Sequence, residues 1–100
     1  IKHKCANTLL DVEAARSALY HAAQVAADDP GELPVAAAVA GAYCSQAYTR
    51  AAKENIQIHG GIGYTWEHDA HLYLKRAKSC ELLFGAPVWH RARLAGLVGI

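Results

Sequence analysis

Residues 33–49 run LPVAAAVAGAYCSQAYT and contain no charged side chain. The segment is rich in alanine, the strongest helix former, and Pro34 suits the first turn of a helix. It is weak as a membrane span, because a span needs about 20 apolar residues and Ser45 and Gln46 interrupt this one. We therefore expect a buried helix from about Leu33 to His59. One face of that helix carries Val35, Val39, Ala42, Gln46, Thr49 and Ile56.

A first helix is expected before it, from about Ile1 to Ala27, with the turn at residues 28–31 as its end. Arg16 lies on the apolar stripe of this helix, so one edge of the stripe must reach water or a carboxylate. The apolar residues recur at steps of three, four and seven, which predicts one stripe facing the core. Its members are Cys5, Leu9, Val12, Leu19, Ala23 and Ala26.

A third helix is expected from about Trp66 to Glu81, with Thr65 as its N-cap. Acidic residues lie in its first turn and basic residues lie towards its far end, which matches the helix dipole. Residues 84–87 break the chain, and Pro87 opens a short last helix through about Leu97. No stretch has the alternation of a strand. The sequence predicts one all-α domain over residues 1–100, of the four-helix-bundle type.

Composition excludes several classes of protein. The 100 residues have a formal net charge of +1, so no broad basic field is available for nucleic acid. A hydrophobic fraction of 53% is too high for a disordered chain. Lys2, His3 and Lys4 are followed by Asp11 and Glu13 and not by an apolar run, so these residues are not expected to be a secretory signal. The sequence begins with Ile1 and lacks methionine, so we expect a segment of a longer chain. The three cysteines, Cys5, Cys44 and Cys80, indicate buried thiols in a reducing compartment, the cytoplasm.

A glycine-rich stretch, QIHGGIGY, occupies residues 57–64. Glycines before a helix allow backbone N–H groups to approach an anion such as a pyrophosphate. The same glycines also fit a simple turn between two helices. His68 and His71 are too few for a metal site. Arg91 and Arg93 fit a solvated face better than a phosphate site. The aromatic residues of the second half fit core packing, with a subunit interface or the wall of a flat ligand as the alternative: Tyr64, Trp66, Tyr73, Phe84 and Trp89.

The stretch from residue 57 through residue 77, QIHGGIGYTWEHDAHLYLKRA, resembles the C-terminal helical domain of the flavin-dependent acyl-CoA dehydrogenases. The resemblance extends over essentially the whole chain. It implies an enzyme that oxidises the Cα–Cβ bond of an acyl-CoA thioester to a trans-2-enoyl-CoA, with FAD as hydride acceptor. It further implies a dimer or tetramer formed through the helical domain, and an electron-transfer protein as the final acceptor.

The resemblance also assigns residues by position. The glycine-rich stretch of this family contacts the FAD of a neighbouring subunit, and a later turn approaches flavin and substrate. Gly85 is the expected substrate contact. The expected cofactor contacts are Gln57, Ile58, His59, Gly60, Gly61 and Ala86.

One position departs from the family pattern. Where many members carry the glutamate that acts as catalytic base, this chain has Phe84, which accepts no proton. Glu81, one turn earlier, is a weak substitute. Either the base lies on a helix upstream of Ile1, or the chain belongs to a non-catalytic subunit of a heteromer. Without the resemblance, the residues also fit a helical interaction module with no ligand, marginally stable in isolation.

Overall fold

The computed structural model describes residues 2–60 and 64–100, and the side chains of residues 2–59 and 69–100. Within these ranges the chain is helical and contains no strand, so the predicted all-α class is confirmed. A short 3₁₀ turn at Pro30–Glu32 separates the first two helices. The four α-helices are α1 (Lys2–Asp28), α2 (Leu33–Gly60), α3 (Tyr64–Phe84) and α4 (Pro87–Val98).

Two predicted boundaries are wrong, and both concern α3. This helix continues to Phe84, three residues past the expected end, so Phe84 is helical and the break is confined to Gly85 and Ala86. Leucine and phenylalanine continue a helix, whereas Gly85 adopts φ +99°, which ends it. Thr65 lies inside α3 and is not its N-cap, because the helix already begins at Tyr64.

The first two helices pack side by side in opposite directions. The Arg50 guanidinium of α2 donates to both carboxylate oxygens of Asp11 on α1, at 3.1 and 3.0 Å. Further along α1, the Ala15 carbonyl accepts from the Cys44 thiol at 3.6 Å. The partner number falls along α2 as the residue number rises along α1, so α1 and α2 are antiparallel.

The last two helices follow one another along α2. The Thr49 hydroxyl of α2 donates to Glu81 on α3 at 2.6 Å, and the His90 ring of α4 packs on Gly41, earlier in α2. Both α3 and α4 therefore run antiparallel to α2, and α4 continues the direction of α3 after the break at residues 85–86. The result is three columns, in which α2 lies in the middle, runs opposite to α1 on one side and to α3 and α4 on the other, and makes the main contacts with all three.

The packed centre of the molecule consists of alanine. Among the described side chains, every buried hydrophobic residue is an alanine, and no larger side chain is fully buried. Small residues let helix axes approach closely, as the alanine-rich stretch of α2 predicts. The predicted face of α2 is half-buried to buried along its length, as expected. The buried alanines are Ala22, Ala36, Ala38, Ala40, Ala42, Ala47, Ala52, Ala70 and Ala77.

The predicted core stripe of α1 is wrong. All six of its members are exposed, among them Leu9 at 61% and Leu19 at 52%, and Cys5 is therefore not a buried thiol. The face that packs on α2 lies one position earlier around the helix, at Lys4, Thr8, Asp11, Ala15, Ala18, Ala22 and Val25. In its middle part this face presents the small residues Ala15, Ala18 and Ala22 to α2, while the larger Leu9 and Leu19 stay outside. Arg16 is exposed and pairs with Glu13 at 4.0 Å, as its place on the stripe required.

The chain exposes more surface than a compact domain of its mass. Its accessible surface is 6980 Å², against about 5,500 Å² for a compact monomer of this size. Its radius of gyration is 15.5 Å, against about 13 Å for a compact domain of 100 residues. The excess coincides with large apolar side chains that face outwards on α1, α3 and α4.

Candidate functional site

The glycine-rich stretch lies where α2 ends and α3 begins. Gln57 is exposed, while Ile58 and His59 are half-buried in the last turn of α2. The Nδ1 atom of His59 lies 3.1 Å from the Asn55 carbonyl oxygen one turn earlier. Gly60 is the last residue of α2, and Gly61 lies outside the described residues.

This end of α2 is attached to the start of α1 through one lysine. The Lys4 ammonium group donates a hydrogen bond to the side-chain oxygen of Gln57. It also forms an ion pair with Glu54, at 3.7 Å from Oε2. The contacts of Lys4 are not visible in the sequence pattern, because they depend on the antiparallel register of α1 and α2, which brings the start of one helix to the end of the other.

The second predicted position is the break between α3 and α4. A Cβ atom on Gly85 would lie 2.8 Å from Cε3 of Trp89 and 3.1 Å from Nε2 of His90, and φ there is +99°. Glycine is therefore required at residue 85 by the fold as well as by the predicted substrate contact. Ala86 is half-buried and extended (φ −75°, ψ 160°), and it precedes the first turn of α4.

Phe84 presents an aromatic ring at the position where the resemblance leads us to expect a carboxylate. Its side chain is 71% exposed. Other large apolar side chains at the end of α3 and the start of α4 are also exposed: Leu82, Leu83, Val88 and Trp89. A hydrocarbon surface of this kind transfers no proton, so it offers apolar contact and exclusion of water.

Glu81, the carboxylate nearest in sequence to Phe84, is already engaged. Its Oε1 accepts a hydrogen bond from Thr49 at 2.6 Å, and its Oε2 lies 3.9 Å from the Lys78 ammonium group. Its side chain is only 19% exposed. Glu81 therefore has a structural role, because its hydrogen bond with Thr49 connects α3 to α2.

The predicted cofactor residues fall into two groups. One group is at the end of α2 and the other is at the break after α3, with the whole of α3 between them. That helix has 21 residues, so the two groups lie about 30 Å apart. The chain does not bring them together into one binding site.

The end of α2 fits a ligand that is rich in hydrogen-bond acceptors. Gln57 holds an exposed carboxamide there, and Gly60 has no side chain to obstruct an approach. The first N–H groups of α3 have no acceptor inside their own helix. A dinucleotide such as FAD, with its phosphate, ribose and adenine acceptors, matches this set of donors.

The other candidate features have simpler explanations. Arg91 donates to Gln46 at 3.1 Å, and the Arg93 guanidinium lies 5.8 Å from the Trp89 ring centre, both on an exposed face. Tyr73 and Trp89 are more than half exposed, so core packing is wrong for them and for Phe84. The remaining two aromatics, Tyr64 and Trp66, have side chains outside the described residues.

The described residues offer neither a cluster of metal ligands nor a membrane-spanning helix. Within residues 2–59 and 69–100, no three His, Cys, Asp or Glu side chains are grouped so as to hold a metal ion; His68 lies outside those side chains. Among the helices described, none is long and apolar enough to cross a membrane.

Comparison with known proteins identifies the family. The family model for the acyl-CoA dehydrogenase C-terminal domain matches residues 1–96. The chain belongs to the acyl-CoA dehydrogenase family. The expected family resemblance of this sequence is therefore confirmed. No solved structure matches the chain.

Among relatives in the acyl-CoA dehydrogenase family, FadE34 of Mycobacterium tuberculosis is 53% identical over 93 residues, which cover 91% of this chain and 13% of FadE34. IpdE2 of the same organism is 40% identical over 87 residues, covering 87% of this chain and 26% of IpdE2. A probable acyl-CoA dehydrogenase of Bacillus subtilis, YngJ, is 34% identical over 82 residues. The chain thus spans about a quarter or less of each of these relatives.

Proposed function

We propose that this chain is the C-terminal helical part of an FAD-dependent acyl-CoA dehydrogenase, which oxidises the Cα–Cβ bond of an acyl-CoA to a trans-2-enoyl-CoA. The observation that carries the proposal is the family match over residues 1–96. The chain supplies cofactor contacts and subunit contacts, and the electrons pass to an electron-transfer protein. We infer a cytoplasmic protein from the three free cysteines, because unpaired thiols are typical of a reducing compartment.

The separation of the two groups of predicted cofactor residues supports an assembly. If both groups contact FAD, then sites about 30 Å apart belong to two cofactor molecules. One chain therefore contributes the end of α2 to one subunit's FAD and the break after α3 to another. We infer that the active protein is a dimer or tetramer in which each chain serves two sites.

The exposed apolar surface supports the same conclusion. The chain has about 1,500 Å² more accessible surface than a compact monomer, and large apolar side chains such as Leu9, Leu19 and Leu82 lie on it. Burying apolar surface stabilises by about 25 cal/mol per Å². Burial of these faces against other parts of the subunit and against neighbouring subunits would therefore stabilise the assembly.

The chain's own residues bind, orient and exclude water. FAD, when bound, supplies the acceptor for the β-hydride. Gln57 offers donors to the cofactor, and Gly60 carries no side chain that would obstruct it. The Trp89 and His90 rings fill the space beside Gly85, so the contact proposed there between substrate and protein is made by the backbone. Phe84 and its apolar neighbours exclude water from the reacting carbons. The base that removes the α-proton is absent from residue 84 and is supplied from elsewhere in the enzyme.

A paired glycine substitution tests the cofactor contact. Gly60→Leu in the full-length protein fills the space beside the predicted cofactor and is expected to reduce the flavin bound per subunit. Gly96→Leu is the matched control, because Gly96 has nothing within 4 Å of an added Cβ. The measurement is flavin absorbance after gel filtration. Equal flavin content and equal assembly in both variants contradict the proposed contact.

A second candidate is a non-catalytic subunit of a heteromeric acyl-CoA dehydrogenase, and the exposed Phe84 ring in place of a base favours it. The full-length protein is loaded with FAD, and anaerobic bleaching of the flavin by acyl-CoA is followed with and without a paired subunit. Bleaching by the homomer alone rejects the non-catalytic subunit. A protein that stays colourless with FAD and every candidate partner contradicts both candidates.

A further inference from the structure

The start of α1 carries a residue whose contacts determine what Gln57 offers to a ligand. Lys4 is the side chain that connects α1 to the last turns of α2, through a hydrogen bond to Gln57 and an ion pair to Glu54. Glu54 and Gln57 are three residues apart on α2, so they lie on the same face of the helix. The ammonium group therefore lies between two acceptors on that face.

The chemistry of lysine fixes the orientation of the Gln57 carboxamide. An ammonium group has three donors and no acceptor, so it bonds a glutamine only through the carboxamide oxygen. The oxygen and nitrogen of a carboxamide have nearly the same shape, and here the ammonium partner tells them apart. The NH₂ end of Gln57 is turned away from Lys4, and no described residue accepts its hydrogens.

We propose that Lys4 is a positioning residue, which holds Gln57 so that its two N–H groups face acceptor atoms of the bound cofactor. This inference rests on the FAD contact proposed for Gln57. It adds that the NH₂ end of the carboxamide, and not the oxygen, faces the cofactor. The ligand atoms at Gln57 are acceptors, such as phosphate, ribose or adenine ring atoms, and not the adenine amino group. Glu54 keeps the Lys4 ammonium group in place.

The first test removes the lysine from the full-length protein. Lys4→Met keeps the length of the side chain and removes its charge and donors. Lys2→Met, on an exposed position two residues earlier, is the matched control. Apo-protein is titrated with FAD and the dissociation constant is read from flavin fluorescence. Lys4→Met is expected to weaken FAD by about 3- to 10-fold, the equivalent of one hydrogen bond, and Lys4→Arg is expected to restore it.

A double substitution separates positioning from mere helix packing. In a Gln57→Ala background, Lys4→Met is expected to cause no further loss of FAD affinity, because the group it positions is gone. An equal loss in both backgrounds overturns the proposal, as does a loss of apo-protein stability without any change in the FAD dissociation constant.

A second substitution tests the polarity of the contact. Gln57→Glu keeps an acceptor for Lys4 but removes both N–H groups, so FAD affinity is expected to fall at least as far as in Gln57→Ala. Undiminished affinity of Gln57→Glu overturns the orientation. If Gln57→Ala weakens FAD and Lys4→Met does not, the role of Lys4 fails while the FAD contact stands. If Gln57→Ala has no effect either, the FAD contact itself is wrong.

Discussion

Gly41 of α2 lies against the His90 ring of α4, and it gives the sharpest test of the packing. A Cβ atom at residue 41 would lie 2.5 Å from both Cε1 and Nδ1 of His90, and 2.9 Å from its Cγ. Contacts this short force the ring or the helix to move. Overpacking of this kind costs about 1–3 kcal/mol. Alanine in place of a helical glycine, by contrast, stabilises by about 1 kcal/mol.

The expected net effect of Gly41→Ala is therefore a loss of about 1 kcal/mol. The matched control is Gly96→Ala in α4, where an added Cβ meets nothing within 4 Å. That substitution is expected to stabilise by about 0.5–1 kcal/mol. Urea unfolding followed by far-ultraviolet circular dichroism measures both free energies, and a loss of 1 kcal/mol lowers the midpoint of thermal unfolding by about 4–8 °C.

A double substitution shows whether the His90 ring is the cause. In a His90→Ala background the obstruction is gone, so Gly41→Ala is expected to become stabilising by about 0.5–1 kcal/mol. The reasoning is refuted if Gly41→Ala stabilises the wild-type chain as Gly96→Ala does. It is also refuted if the loss at residue 41 persists unchanged without the ring.

Three further predictions follow from single contacts. Gly99→Ala is expected to cost about 1 kcal/mol for its φ of +83° alone, whereas Gly85→Ala costs more, because its Cβ also meets the Trp89 ring; urea unfolding of the two variants measures the difference, and equal losses contradict the contact. Thr49→Val removes the donor to Glu81 and is expected to cost about 1.5–3 kcal/mol by the same assay. A loss no larger than that of Thr8→Val, whose hydroxyl donates only to the Lys4 carbonyl of its own helix, argues against the bond. Burial raises the pKa of the Cys44 thiol above 9.0, so alkylation of Cys44 in the folded chain needs higher pH than in urea. Because the folded state favours the protonated thiol, the contribution of Cys44 to stability is complete below pH 9 and declines above it. Identical pH profiles of Cys44 alkylation in the folded chain and in urea contradict the raised pKa.

The helices themselves were predictable because proline and glycine, which begin or end helices, mark their boundaries. Pro30 and Gly31 separate α1 from α2, and Pro87 opens α4, as the structure has them. The end of α3 was predicted too early, since apolar residues after Glu81 carry no helix-stop signal and only Gly85 provides one.

The face of α1 that packs was not predictable from hydrophobicity alone. The large apolar residues of α1 form a regular stripe, and so do the small residues one position away. Close approach of an alanine-rich helix favours the small stripe, whereas hydrophobicity favours the large one. Arg16 on the large stripe was the available warning, since a charged residue at a core position is costly.

The candidate site was predictable by position and not by contact. The sequence correctly located Gln57 in the last turn before the glycines, and Gly85 beside the second break. The bond from Lys4 to Gln57 depends on how α1 and α2 are aligned, and a pattern along one chain contains no such information. Whether Gln57 and Gly85 contact FAD and substrate remains a prediction.

The alanine centre has a consequence for how this domain tolerates change over evolution. Because every described buried hydrophobic side chain is already a single methyl group, truncation to glycine leaves only a small void, and its cost of about 1 kcal/mol comes mainly from the poor helix propensity of glycine. Enlargement is the more damaging direction, since each added carbon pushes two closely spaced helices apart. Evolution can therefore place no side chain larger than alanine at these buried sites without disturbing the packing. The outer faces, which already carry large exposed residues, accept new side chains more readily.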